Sequence, residues 1–408
     1  MLIVEINAYS YGSTGSIMMQ IADQARKKGH QAITFSTIVF SGRKPASKLD
    51  IYNHRYFSSY FENFIHYCLA QLTDGNGFFS GLATLRLIYQ LKKLNPDVIQ
   101  LHNLHQFCIN IPLLFHYIKK NNIRTVWTFH DCWAFTGHCM HFENSGCERW
   151  KTGCGNCPQK YYNPRSRVDQ SRRVWSKKKS LLVGLDTLRI VTPSEWLARL
   201  VRQSFFRSCP VTVINNGINT NVFMPHGYDF KVKNGFEGKY IVLGVSSDWG
   251  YSKGLDVFAR LAQELGTDYK VVLVGANEYI AKSLPECIFA VGRTSNKEEL
   301  AKIYSAADVF INPTREDTFP TVNMEALACG TPVVTFDTGG SPEILDSTCG
   351  VVVEKDDFDS LKRETIRICE ERPFTIEDCV KRAGCFQEDK MFSSYLSLYE
   401  SMINGVTE

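Results

Sequence analysis

The stretch REDTFPTVNMEALACGTPVV, residues 315–334, sets acidic residues and a proline at the start of a helical run that ends directly before a strand-like TPVV. Pro320 suits the first turn of a helix, where its missing N–H costs no hydrogen bond, and the free amides of that turn form a ready anion site. Glu316 and Asp317 precede the helix and Glu325 lies further along it. A dinegative phosphate group at the helix end gains from the amides and the dipole, whereas carboxylates beside it are repelled unless they bind something else. Hydroxyl groups are that something else, because an ionised carboxylate is a pure acceptor whose two oxygens can hold a vicinal diol. A ligand with a diphosphate in the middle and a sugar on each side satisfies every part of the arrangement.

Working outward, short apolar runs alternate with helical stretches along the whole chain. LIVEIN (2–7), a polar loop and a helix from Ser16 to about Lys28 open it, and strand-like runs follow at QAITFSTI, DVIQLH, RTVWTFH and LRIVTP. The second half repeats the rhythm with YIVLGVS, a helix over 254–265, YKVVLVG, a helix over 297–306, DVFINPT, the helix from Pro320, TPVVTFD, CGVVVE and a helix over 357–371. Such alternation implies parallel sheets covered on both faces. The break falls in residues 215–240, rich in Gly, Asn and charge and poor in periodicity. The fold class expected is α/β: two doubly wound domains, residues 1–214 and 215–387, with a last helix over about 388–408 packing back on the first. Ligands of such sheets sit outside the carboxyl ends of the strands, so two facing sheets would create an interdomain cleft.

Bulk properties agree with two soluble domains. A chain of 408 residues exceeds the roughly 250–300 at which single cores stop growing. The net charge of +4 gives no argument for nucleic acid as a partner. MLIVEINAYS has none of the features of a secretory signal and no apolar run approaches a membrane span, so a cytoplasmic protein is expected, with its 14 cysteines mostly reduced.

At Asp317, Glu325 and ALACGTPVV (326–334) the chain resembles the retaining glycosyltransferases of family 4, which have the GT-B architecture of two Rossmann-like domains. The resemblance implies that Glu325 binds the ribose diol of a nucleotide sugar and Asp317 the hydroxyls of the donor sugar, with the Phe319 and Pro320 amides near the transferred group and Thr318 in the same amide-bearing region. The first acid of the pair is usually glutamate, so Glu316 competes with Asp317 for its role. SSDWGYSKGLDVF (246–258) is similar to the family loop in which a lysine meets the diphosphate, here Lys253, although Asp248 stands where an arginine often accompanies it. DTGGSPEIL (337–345) resembles the family's GG-x-PE turn, with Gly339 and Gly340 approaching the donor, and VINNGINTNVF (213–223) its interdomain segment. Gly12 and Gly15 of YGSTGS match the glycine loop facing donor phosphates or acceptor, and His130 of TFHD the histidine opposite the sugar. Taken singly, an acidic pair is usually a solvated face, a lysine a surface group and a loop histidine a hydrogen-bonded bystander; their joint order along the chain is far more specific.

Three further stretches raise choices. HDCWAFTGHCMHFENSGCERWKTGCGNCP (130–158) holds five cysteines, and Cys139, Cys147, Cys154 and Cys157 are candidates either for a structural tetrahedral zinc or for reduced packing thiols. A similar HDCW-x-FTGHC insert occurs in a subgroup of bacterial polysaccharide-building transferases. RSRVDQSRRVWSKKK (165–179) reads as a solvated basic helix, or as a face resting on anionic lipid beside a lipid-linked acceptor. The aromatic run YFSSYFENFIHY (56–67) reads as core, with acceptor or membrane contact as the other choice.

The chemistry expected is retaining transfer of a hexose-type sugar from a UDP- or GDP-linked donor to a saccharide or lipid-linked saccharide, in surface polysaccharide synthesis, with peripheral contact at the inner face of the membrane. Lys253 and the amides of residues 318–322 carry the leaving charge, so no catalytic metal is expected. Retention is inherited from the resemblance. A sugar-nucleotide epimerase of the same fold and a non-catalytic sugar-nucleotide binder are the alternatives; a dehydrogenase is disfavoured because NAYSYGSTGS lacks G-x-G-x-x-G.

Overall fold

The computed structural model describes residues 1–38, 53–227 and 229–405. Tyr228, inside the stretch read as the break, and residues 406–408 of the last expected helix lie outside them. The chain divides into two compact units: residues 1–215 together with the segment from Asp389, and Asn216–Glu388.

The first unit is built on a 7-stranded sheet, β1 (Leu2–Ile6), β2 (Gln31–Thr37), β3 (Arg55–Ser58), β4 (Val98–Leu101), β5 (Thr125–Thr128), β6 (Leu188–Thr192) and β7 (Val211–Val213), in the order β3-β2-β1-β4-β5-β6-β7. The second unit has a 6-stranded sheet, β8 (Tyr240–Val245), β9 (Tyr269–Val274), β10 (Phe289–Val291), β11 (Val309–Asn312), β12 (Val333–Phe336) and β13 (Gly350–Val353), in the order β10-β9-β8-β11-β12-β13. Neighbouring strands pair parallel in both sheets. The central strands are Val- and Ile-rich because helices cover both faces, so β4, β5, β11 and β12 are buried at every position. Strand order reverses between β1 and β4 in the first sheet and between β8 and β11 in the second. Each reversal opens a crevice at the carboxyl ends of those strands.

Three strands escaped the periodicity reading, β3, β7 and β10, and all three are sheet edges. β7 and β10 have only three residues each, none fully buried, so they present no apolar run. The first helix starts at Gly12 rather than Ser16, on the loop's own glycine. Two other expectations are corrected. The aromatic run is core only in part: Phe57 of β3 and His66 are buried, but the helix Tyr60–Thr73, started by a capping box of Ser59 and Glu62, leaves Tyr60, Phe61, Phe64, Ile65 and Tyr67 exposed, Phe61 at 69%. The basic helix, Ser171–Leu182, is not solvated throughout. Val174, Trp175 and Leu182 face the core, and Lys178 is fully buried, its ammonium donating to the Trp133 carbonyl at 2.7 Å and the Thr136 carbonyl at 3.1 Å.

The last helix, Glu388–Asn404, places Phe392, Tyr395, Leu396 and Tyr399 against Ile3, Ile17, Ile21, Val98 and Val126 of the first unit. The Tyr399 hydroxyl donates to Gln100 Oε1 at 2.9 Å, which satisfies an amide buried in β4. Phe392→Ala removes a ring that is 2% exposed, and urea unfolding is expected to show a loss of about 3–5 kcal/mol.

Candidate active site

In the second unit three adjacent strands deliver three loops to one place. The loop after β8 carries Lys253, the loop after β11 carries Arg315 to Pro320, and the loop after β12 carries Gly339 and Gly340. Backbone contact locks them together. Gly254 has φ +70 and lies so close to Pro313 that a Cβ would come within 2.5 Å of its ring, and Gly339, at φ +58, would put a Cβ 1.7 Å from the Asp317 carbonyl oxygen. The Gly340 amide donates weakly to that same oxygen at 3.4 Å.

Lys253 is the hub. Its ammonium donates to Asp317 Oδ2 at 2.7 Å, to Thr314 Oγ1 at 3.3 Å and to the Glu316 carbonyl at 3.4 Å. The other Asp317 oxygen accepts the Phe319 amide at 3.3 Å. Both partners keep contact with solvent, 32% for the lysine side chain and 22% for the aspartate. Thr318 and Phe319 are buried, and Phe319 is held by its ring against Phe386 and by its carbonyl, which accepts Asn216 Nδ2. The expectation of two amides at this point is corrected on chemical grounds: Pro320 has no N–H to donate, and instead caps the helix Thr321–Ala328 with extended backbone. Glu316 is half-buried, and its carbonyl, not its carboxylate, meets Lys253.

Glu325 is half-buried one turn into that helix, and its Oε2 accepts the Tyr304 hydroxyl at 3.2 Å. Desolvation raises its pKa, opposed by Lys297 and by the hydroxyls of Tyr304 and Thr321. It stands apart in its bonding from the Lys253 cluster.

Arg315 was not among the expected residues. It is 4% exposed, forks onto Asp256 with two 2.8 Å bonds, reaches Asp356 at 2.6 Å and the Tyr251 carbonyl at 2.6 Å, and stacks over the Tyr251 ring. Its own amide donates to the Ser252 carbonyl at 2.8 Å. Arg315 therefore fastens the Lys253 turn to the Asp317 loop.

In the first unit Gly12 and Gly15 lie in the first turn of the helix after β1, and His130 follows β5. Asn7, also unforeseen, shapes the glycine loop: its Oδ1 accepts the Ala8 and Asn103 amides, and its Nδ2 donates to the Tyr9 carbonyl and to Thr14 Oγ1. Behind His130 runs a buried chain. His130 Nε2 is 3.0 Å from His102 Nδ1, and His102 Nε2 is 2.9 Å from Glu5 Oε2. Burial pushes the Glu5 carboxyl up and the His102 ring down, each toward its uncharged form. Burial, with nearby His105, lowers His130 to about 4 against the pull of Asp131, so it is an uncharged hydrogen-bonding group at neutral pH.

The cysteines Cys139, Cys147, Cys154 and Cys157 line one cavity of the same unit, and none is in a disulfide. Among the described residues no three His, Cys, Asp or Glu side chains stand closely enough, as placed, to hold a metal ion.

The histidines set a pH dependence. The unfolded chain takes up protons near 6.5, while folded His130 and His54 do so only near 4. The unfolded state therefore binds more protons in this interval, so their contribution to stability is full above pH 6.5 and is lost as the pH falls toward 4. Urea unfolding at a series of pH values is expected to show this decline, and His130→Gln to make it shallower.

A family model described as Glycosyltransferase Family 4 matches residues 15–222, and one described as Glycosyl transferases group 1 matches residues 239–371. The putative colanic acid biosynthesis glycosyl transferase WcaC of Escherichia coli is 24% identical over 321 residues, covering 75% of this chain and 77% of its own. A D-inositol 3-phosphate glycosyltransferase of Corynebacterium diphtheriae is 25% identical over 306 residues, 69% of this chain and 67% of its own. Among solved structures, sucrose-phosphate synthase from Thermosynechococcus elongatus aligns over 99% of both chains with a TM-score of 0.70 at 17% identity. HepE of Anabaena in complex with UDP-glucose aligns over 98% of this chain and 100% of its own, with a TM-score of 0.66 at 13% identity. The chain belongs to glycosyltransferase family 4, and its two parallel-sheet units have the GT-B architecture.

Proposed function

We propose that this glycosyltransferase moves a hexose-type sugar from a UDP- or GDP-linked donor to a saccharide or lipid-linked saccharide, with retention at the anomeric carbon, in surface polysaccharide synthesis. The observation that carries the reading is the Lys253–Asp317 pair at the carboxyl ends of β8 and β11, beside the start of the helix Thr321–Ala328. The names of the similar proteins support it, since WcaC is named for colanic acid and HepE was crystallised with UDP-glucose.

In this reading the donor lies on the second unit. Glu325 accepts the ribose diol, and Asp317 accepts hydroxyls of the transferred sugar, with Glu316 as its neighbour. The diphosphate draws the Lys253 ammonium from Asp317 and settles at the first turn of the helix, where free amides and the dipole favour it. As the bond from the anomeric carbon to the phosphate oxygen lengthens, charge grows on that oxygen. A lysine already in position stabilises it without reorganisation, and no catalytic metal is assigned to the step. The acceptor hydroxyl attacks from the same face and passes its proton to the departing phosphate. In the first unit the uncharged His130, held by His102, meets a sugar hydroxyl.

Among the described residues no helix is long and apolar enough to cross a membrane. The exposed aromatic face of the helix Tyr60–Thr73 suits peripheral contact with the cytoplasmic leaflet, where a lipid-linked acceptor would lie.

A panel of nucleotide sugars, scored separately for hydrolysis and for transfer to saccharide acceptors, tests the reading. One UDP- or GDP-sugar should be turned over with the product keeping its anomeric configuration. Lys253→Ala should lower kcat by about 10²–10³, and Glu325→Ala should weaken donor binding about tenfold or more. Sugar inversion without an acceptor would mean an epimerase, binding without turnover a non-catalytic protein, and unchanged kinetics in Glu325→Ala would remove the ribose assignment. Sedimentation with anionic vesicles, lost on Phe61→Glu, tests the membrane contact.

A further inference from the structure

We propose that Cys139, Cys147, Cys154 and Cys157 bind one structural zinc ion that staples the long excursion between β5 and the helix Ser171–Leu182. Residues 129–170 contain no helix or strand, only the single 3₁₀ turns Trp133–Phe135 and Arg149–Lys151. A segment of that length without secondary structure is rare in a compact domain unless something ties it down. Its backbone hydrogen bonds are mostly single-turn links such as Thr136 to Cys132 and Gly153 to Arg149, while Trp133, Phe135, Phe142 and Trp150 anchor it in the core of the unit.

The four thiols converge from three separate turns. Cys154 and Cys157 sit on a C-x2-C turn bent by Gly155 at φ +146 and Asn156 at φ +50, and the Arg149 guanidinium holds the turn through the Gly155 carbonyl at 3.0 Å. Cys139 and Cys147 reach the same cavity from the two preceding turns, and each of the four lies within electrostatic range of the other three. The cavity is about 20 Å³, room for one water-sized guest.

Two features of the surroundings point to an ion with thiolate ligands. The Gly137 amide donates to Cys154 Sγ at 3.2 Å, an amide-to-sulfur bond of the kind that stabilises sulfur carrying negative charge. Binding of Zn²⁺ by four thiols releases four protons and leaves a net charge of −2, which a buried site must balance. The fully buried Lys178 ammonium stands within electrostatic reach of Cys154 and Cys139. His138 also lines the cavity, 3% exposed, its Nδ1 bonding Asp74 and its Nε2 without a hydrogen-bond partner among the described residues, which makes it the competing ligand that the shell must distinguish. The polar lining of the cavity is thus incomplete as it stands. As placed, the thiols are not in coordination distance, so the proposal requires that their side chains turn toward one another on binding, a change of χ1 between staggered wells.

The test uses the full chain, purified without a polyhistidine tag and dialysed, with metal content and X-ray absorption as readouts, independent of any transferase activity. About one zinc per chain is expected, in a shell of four sulfurs at about 2.3 Å. Cys154→Ser and Cys157→Ser should lose it, and Cys287→Ser and Cys385→Ser, at exposed cysteines, should keep it. Because the first pair could fail to fold, the wild-type protein is also titrated with a mercurial thiol reagent, which should release the zinc as four thiols react. Protein that holds less than a tenth of an equivalent and takes up none when reduced and titrated with Zn²⁺ alone would overturn the proposal. So would equal loss in the Cys287 variant, or a nitrogen ligand in the shell, which would transfer the site to His138.

Discussion

A lysine and an aspartate from different strand ends, 2.7 Å apart and still touching solvent, set the character of the second unit. A pair so placed contributes at most about 1 kcal/mol to stability. Its importance is positional. Arg315 clamps the two loops that carry it, and the glycines at 254 and 339 let the three backbones approach more closely than any side chain would allow. The result is a cation held in place by a weak anionic partner, beside the start of a helix.

The first unit solves a different problem at the equivalent strand ends. There burial disfavours charge on Glu5, His102 and His130, which hydrogen bonds join into one chain.

How far the primary structure foretold this depends on distance along the chain. The central strands were readable because burial on both faces leaves unbroken Val and Ile runs; the edges β3, β7 and β10 were not, because half-exposed short strands carry no such run. Asp317 and Glu325 stood out beside a proline at a helix start, and Lys253 through the resemblance to family 4; the structure joins Lys253 to Asp317 and leaves Glu325 bonded to Tyr304. Arg315 could not, since its meaning lies in Asp256 and Asp356, 59 and 41 positions away. The same holds for Glu5, joined to a histidine 97 positions on, although a carboxylate inside LIVEI was itself a signal, since a buried acid needs a partner. Lys178 misled for the same reason: in a run of three lysines nothing local marks the one whose ammonium finds two buried carbonyls.

The central claim is that Asp317 and the donor's diphosphate compete for one ammonium. Calorimetric titration of UDP and GDP into the wild-type chain and into Asp317→Asn tests it most directly. If the claim holds, the variant binds the free nucleoside diphosphate more tightly than the parent, because Lys253 no longer has to leave a carboxylate, even though it transfers sugar poorly. Weaker or unchanged nucleotide binding in Asp317→Asn, with the variant folded, would contradict it.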